Sequence, residues 1–198
     1  MANHLAIQSF CQSLVDYLSQ RHATFVPSVG VPALPSTGFQ VISASKFSST
    51  EAIDNKMLTL YLHRVSINNQ LRNVRTGGIQ GPLALDLHFI LIVTADKPED
   101  EHAIFGWVMR ELHLHSYMDA STLSDSARWA VDERIDIVPA ELTPDETANI
   151  WEAANRGYLM SYPFIARTVR IGATTTPDGA PTVASRFTFT DNLKETVP

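Results

Sequence analysis

The 198-residue chain has a single cysteine, Cys11. One thiol excludes an internal disulfide and any metal site built on several cysteines, and it fits a reducing compartment. No run of about 18 apolar residues occurs, so no membrane-spanning helix is predicted. The first residues, MANHLAIQSFCQSLVDYL, lack the basic start and apolar run of a secretory signal, and none is expected. Also missing are H-E-x-x-H, C-x-x-C, H-x-E, the G-x-S-x-G elbow and a Gly-Lys-Ser/Thr phosphate loop. There are no internal repeats and no coiled-coil heptads. Charge of one sign is absent locally. Residues 55–85 hold no acid, yet contain Lys56, Arg64, Arg72 and Arg75. In residues 96–152 acids far outnumber bases, in DKPEDE, DERID and ELTPDE. The net charge of −6 argues against a nucleic-acid function. Two stretches of opposite sign point to head-to-tail association with copies of the chain or with a partner; separately solvated faces are the blander alternative.

What is present is the composition of an ordered globular protein, 44% hydrophobic and 18% charged. The length allows one domain with a sizeable core plus an arm. Ile7, Cys11, Leu14, Val15 and Leu18 fall at helical spacing and predict a first helix, with Asn3 as its N-cap. The prolines and glycines of VPSVGVPALPSTG forbid a helix. A short strand is expected at 39–43, then a loop over 46–56. MLTLYLHRVSI reads as a strand with Leu58, Leu60 and Leu62 on one face and Thr59, Tyr61, His63 and Val65 on the other. A long polar loop over 68–82 leads to a second strand, LALDLHFILIVTA, expected to pair antiparallel with the first. A helix over 100–115 has acids at its start and histidines at its end, as the helix dipole favours. ARWAVDERIDIVPAEL predicts a strand with Ile135 and Ile137 on one face, stopped by Pro139. In LTPDETANIWEAANRG, Thr143 is the N-cap, Pro144 opens the helix, Glu146 completes a capping box and Gly157 ends it. YLMSYPFIARTVRIG is a last long strand. TVASRFTFT alternates, with Val183, Ser185, Phe187 and Phe189 on one side, behind a Thr/Pro/Gly linker. The fold class is therefore α+β: a mainly antiparallel sheet of four to five strands, two to three helices covering one face, and an extended C-terminal arm. The domain spans 1–172, and the linker and arm span 173–198.

Seven histidines raise a metal reading. His63, Asp86 and His88 lie on strands that pair, and they approach a two-His, one-carboxylate set. His113 and His115 sit two apart on a helix, about 200° around it, and cannot chelate together. The bland reading has Asp86 and His88 on a partly exposed strand face, hydrogen-bonded to each other or to a loop. Cys11 falls in an apolar stripe and is expected to be buried and inert. Arg72 and Arg75 in the RTGGIQGP loop suit an anion, but an exposed solubilising loop accounts for them equally. The balance favours a binding or assembly protein over an enzyme, with no cofactor or metal and no catalytic residue.

Four stretches in order carry a family resemblance. They are an N-x-L-R-N loop over 69–73, an L-x-L-D-L-H strand over 83–88, a G-x-x-M-R-x-L-H-x-H helix over 106–115, and an L-T-x-x-E helix leading to Y-x-x-S-Y at 158–162. In combination the chain from about 5 to 171 resembles the cap, or tail-terminator, proteins of phage-tail-like contractile injection particles. Residues 37–56 and the tail beyond Gly172 carry no motif of that group. The resemblance implies a structural role: a homo-oligomeric ring, expected to be a hexamer, on the distal end of inner tube and sheath. Such a ring ends polymerisation and holds the sheath extended. It implies assembly in the bacterial cytoplasm, within a particle that is kept there, anchored or released. The implied partners are other copies of the chain, inner tube protein and sheath protein, without nucleic acid or a membrane segment. Expected contact residues are Arg64, Asn69, Leu71, Arg72, Asn73 and Arg75, and Val183, Phe187 and Phe189 of the arm. A monomeric adaptor and a metal-dependent enzyme are the competing classes.

Overall fold

The computed structural model of the chain describes residues 2–49, 56–68, 70–71 and 81–172. The elements in order are α1 (Ala6–Ala23), β1 (Gly38–Ile42), α2 (Ala44–Phe47), β2 (Met57–Ile67), β3 (Leu83–Thr94), α3 (Pro98–Leu114), β4 (Tyr117–Asp119), a 3-10 turn (Asp125–Ala127), β5 (Arg134–Pro139), α4 (Pro144–Ala153) and β6 (Ser161–Ile171). Among the described residues six strands form one sheet in the order β1-β2-β3-β6-β5-β4. Every neighbouring pair is antiparallel except β1 and β2. The α+β class and the β2–β3 pairing agree with the sequence reading. The strand count exceeds it, because β4 has three residues and is too short to show an alternating pattern.

The helices also divide differently. Odd-numbered β3 residues, among them Leu87, Phe89 and Leu91, pack against Phe10, Leu14 and Leu18 of α1 and Ile104, Val108 and Leu112 of α3. The even-numbered Ile90 and Ile92 face the other way and meet Phe47 of α2 and Trp151 of α4. Both faces are thus covered at this end of β3, not one. The reason lies in the run FILIV, which is apolar without alternation and must be dry on both sides.

Local chemistry fixes the element ends. α1 buries Cys11, Leu14, Val15 and Leu18 of the stripe expected of it, while Ile7 is half-buried; burial pushes the Cys11 thiol up to about 11. That helix begins later than its sequence suggests, with Leu5 at the N-cap; Asn3 instead accepts the Leu5 N–H at 2.8 Å. Two serines on its buried side, Ser9 and Ser13, hold the following chain: the Trp129 indole N–H donates to Ser9 Oγ at 2.9 Å and the Ser124 N–H to Ser13 Oγ at 2.8 Å. Where a loop was expected, Ser43 caps the single turn of α2 by accepting the Lys46 N–H. The capping box of α4 is as read, but the helix stops at Ala153, and Asn155 (φ 51°) rather than Gly157 takes the left-handed position.

A buried carboxylate ties α1 to α3. Glu111 accepts from the Tyr17 hydroxyl at 3.0 Å and from Arg21 Nε, with His115 Nδ1 3.1 Å away. Burial opposes ionisation of Glu111, but hydrogen bonds from Arg21 and Tyr17 outweigh it and hold the carboxyl below its ordinary value. Burial, with the Glu111 bond, raises the Tyr17 hydroxyl to about 12. A depressed carboxyl stabilises the fold fully above the ordinary value of 4.5 and loses that contribution as pH falls through the folded value. Glu111→Gln is therefore expected to lower the unfolding free energy by about 1–3 kcal/mol at pH 7 and to flatten the loss of stability at acid pH. Denaturant melts at pH 7 and pH 3 check this, and identical curves for the two proteins contradict it.

Candidate functional site

α2 and α4 cover Ile90 and Ile92 on the second sheet face, and the polar residues of β2 and β3 follow beyond them. The geometry depends on two bulges. In β2 the register shifts between Leu62 and Arg64, so His63 is an extra residue opposite β3. Alternation reverses beyond it. Arg64 and Ser66 come to share a face with His88 and Asp86, and Val65 moves to the side of Leu58 and Leu60, contrary to strict period-two reading. In β6 the register shifts opposite Asp86, and Thr168 takes a positive φ of 69°.

Asp86 fills the gap that the second bulge makes. Its Oδ1 accepts the Thr168 backbone N–H at 3.1 Å. Both carboxylate oxygens also accept from Asn68 Nδ2, at 3.2 and 3.3 Å. Asn68 in turn accepts the Gln70 N–H through Oδ1, donates its own N–H to the Ala84 carbonyl at 2.9 Å, and accepts the Leu71 N–H on its carbonyl. Asp86 thus pins both the bulge of β6 and the start of the 68–82 loop. Sequence reasoning missed Asn68; the adjacent pair Asn68–Asn69 opening a loop, with side chains that bond local backbone, was the available signal.

His88 is engaged separately, with Nε2 2.8 Å from Ser66 Oγ. The His63 and His88 rings approach to 6.2 Å between centroids. Burial first, then the neighbouring His88 and Arg64, lower the His63 imidazole to about 4, against the pull of Glu146. Burial and Arg64 lower His88 as well. Both rings are neutral at pH 7. Neutral imidazoles can ligate a metal, but Asp86 is committed to Asn68 and Thr168. Among the described residues no group of three His, Cys, Asp or Glu side chains could hold an ion. His113 and His115 diverge, the former exposed and the latter beside Glu111. Of the three residues of the metal reading, Asp86 is held by Asn68 and Thr168 and His88 by Ser66, while His63 meets the His88 ring.

Of the expected contact residues, Arg64 is exposed on the open face and Leu71 is half-buried at the start of the loop. Asn69, Arg72, Asn73 and Arg75, and Val183, Phe187 and Phe189 of the arm, lie outside the described residues. The acids of α3 form its first turn, Glu99, Asp100 and Glu101, on the opposite layer of the sheet from Arg64. No described helix is long and apolar enough to cross a membrane.

No protein of curated function matches the sequence. Among solved structures, the fold is similar to the sheath/tube terminator of an extracellular contractile injection system, PVC, in its extended state. The TM-score is 0.59 at 11% identity, over 98% of this chain and 65% of that one. The chain thus spans about two thirds of the length of that protein. The tube-terminating cap of the anti-feeding prophage is matched at a TM-score of 0.47 and 16% identity, over 68% of this chain and 49% of that one. The sequence profile of the Pvc16 N-terminal domain matches residues 10–185, and the chain therefore belongs to the Pvc16 N-terminal domain family.

Proposed function

We propose that this chain is a tail-terminator, or cap, protein of a contractile injection particle. It forms a ring on the distal end of the inner tube and sheath, ends their polymerisation and stabilises the extended sheath. The observation that carries this reading is the family match over residues 10–185, joined to a fold shared along 98% of the chain with a sheath/tube terminator. The role is structural rather than enzymatic. The ring is a homo-oligomer of six copies, assembled in the bacterial cytoplasm before the particle is released, anchored or retained.

A ring of identical copies needs two unlike surfaces that meet around its axis. Arg64 and the start of the 68–82 loop, pinned by Asp86, lie on one layer, and the acidic first turn of α3 lies on the other. This opposition supports a contact in which Arg64, Asn69, Leu71, Arg72, Asn73 and Arg75 meet a neighbouring copy or the tube. The alternating arm, with Val183, Phe187 and Phe189 on one side, adds as a strand to a neighbouring copy or to sheath protein. Residues 1–172 then form the ring domain and 173–198 a tether.

Three outcomes are expected. Purified protein added to growing inner tubes stops their elongation and shows a cap at one end by electron microscopy; tubes of unchanged length contradict the reading. Reversing Arg64, Arg72 and Arg75 to Glu weakens ring or tube association by about tenfold or more, and added salt acts the same way. Indifference to both removes the charge argument. Truncation after Gly172 weakens sheath attachment in a pull-down while the melting curve is retained; an unfolded truncate instead assigns the arm to the protein's own core.

A further inference from the structure

Between Ala23 and Ser45 the chain carries no Asp, Glu, Lys or Arg, the opposite of its acidic remainder. The segment joining α1 to β1 is apolar and projects into solvent. Val26, Val29 and Val31 are 85%, 106% and 53% exposed. The tip is a β-turn, closed by the Val31 N–H donating to the Ser28 carbonyl at 3.0 Å. Gly30 has φ 84°, the value that position of a type II turn requires. Pro27, Pro32 and Pro35 stiffen the segment. Phe25 and Leu34 anchor it to the main core, and His22 is held edge-on by Phe39 and Trp107. A rigid, uncharged knob loses little freedom on binding, and it is costly to leave in water.

A matching hole lies at the other end of α1. A groove of about 510 Å³ runs between the start of α1, β1 and α2. Leu5, Ile7, Val41 and Leu62 are among its walls, His4 and Gln8 stand exposed at its rim, and no Asp, Glu, Lys or Arg lines it. α1 is 18 residues long, about 27 Å at 1.5 Å per residue. The helix holds knob and groove apart, so the 28–31 turn of a chain does not reach that chain's own groove.

We propose that the 28–31 turn of one copy seats in the α1–β1–α2 groove of the next copy. Neither surface carries Asp, Glu, Lys or Arg on a chain of net charge −6, which favours each for the other over the charged surface elsewhere. Knob and groove are different patches, so the contact is head-to-tail and leaves one of each free for a further copy. The proposal rests on the ring reading above and adds an apolar contact to the charged one argued there.

The test measures self-association of the full chain by light scattering across concentration and on tube ends by microscopy. Wild type is compared with Val29→Asp, Gln8→Lys and the double variant. Val29 and Gln8 are exposed, and melting curves verify that each variant folds. Val29→Asp is expected to weaken association about tenfold or more, because a carboxylate would replace an apolar side chain against Leu5, Ile7, Val41 and Leu62. The double variant, which places a lysine at the groove rim, is expected to recover most of the loss. Assembly unchanged by Val29→Asp overturns the proposal and leaves the ring reading standing. Normal self-association with loss of tube capping assigns the turn to tube or sheath protein and also overturns it. Loss without recovery in the double variant removes the groove as the receptor. A wild type that stays monomeric both in solution and on tube ends ends the ring reading, and this contact with it.

Discussion

The rest of the structure depends on keeping the middle of β3 dry on both faces. Phe89, Ile90, Leu91, Ile92 and Val93 are all buried, and no single layer of helices can bury such a run. One layer, α1 and α3, takes the odd residues. The second is assembled from small pieces: the single turn of α2, the short α4 and the strand end at Ile42. The pieces brace one another. Phe47 stacks on Tyr61 at 4.0 Å and leans on Trp151, and Arg156 donates from Nε to the Phe47 carbonyl and from Nη2 to the Ser49 carbonyl. The small second core stops where the apolar run stops, and the sheet face beyond it is free for polar residues.

That change of character along one strand explains the two bulges. Below Phe89 the even positions of β3 are His88 and Asp86, which gain nothing from an apolar cover. Both neighbouring strands insert an extra residue at this level, β2 at His63 and β6 opposite Asp86. A bulge raises local twist and leaves backbone groups unpaired. Asp86 satisfies one of them and uses its remaining lone pairs to hold Asn68. A carboxylate that a functional reading would spend on catalysis is therefore consumed in fixing backbone geometry at the root of a loop.

Long periodic elements could be read from the sequence, because burial of one face imposes their spacing. β2 was legible to its last residue, α4 to its capping box, and Ile135 and Ile137 to their common face. What was not legible depended on partners distant in sequence. The parallel docking of β1 on β2 comes from tertiary packing, and three-residue β4 is held by its register with β5. The side change of Val65 follows from one inserted residue, which no alternating pattern announces. The proximity of His63 and His88 was readable from strand pairing; that Asp86 is already spent was not, because Thr168 lies 82 residues away. Family identity, by contrast, was carried by motifs spread over the framework itself.

Among the described residues the two edges of the sheet are unlike, and this bears on how copies can meet. β4 ends one side after three residues, with the Arg134 guanidinium 4.1 Å over the Tyr117 ring and bonded to Asp136. Charge and shortness both oppose addition of a further strand there. β1 ends the other side, five residues long, with Val41 39% exposed and no charged residue on it or in the segment before it. Association by matching the same edge to itself would form a two-fold dimer and stop at two copies. Association by unlike patches continues until it closes or becomes a filament. The proposed terminator role needs an assembly that closes, because an open filament would not end polymerisation. Under the proposed contact between unlike patches, the geometry that fixes one patch relative to the other, with α1 between them, sets the number of copies at which the assembly closes.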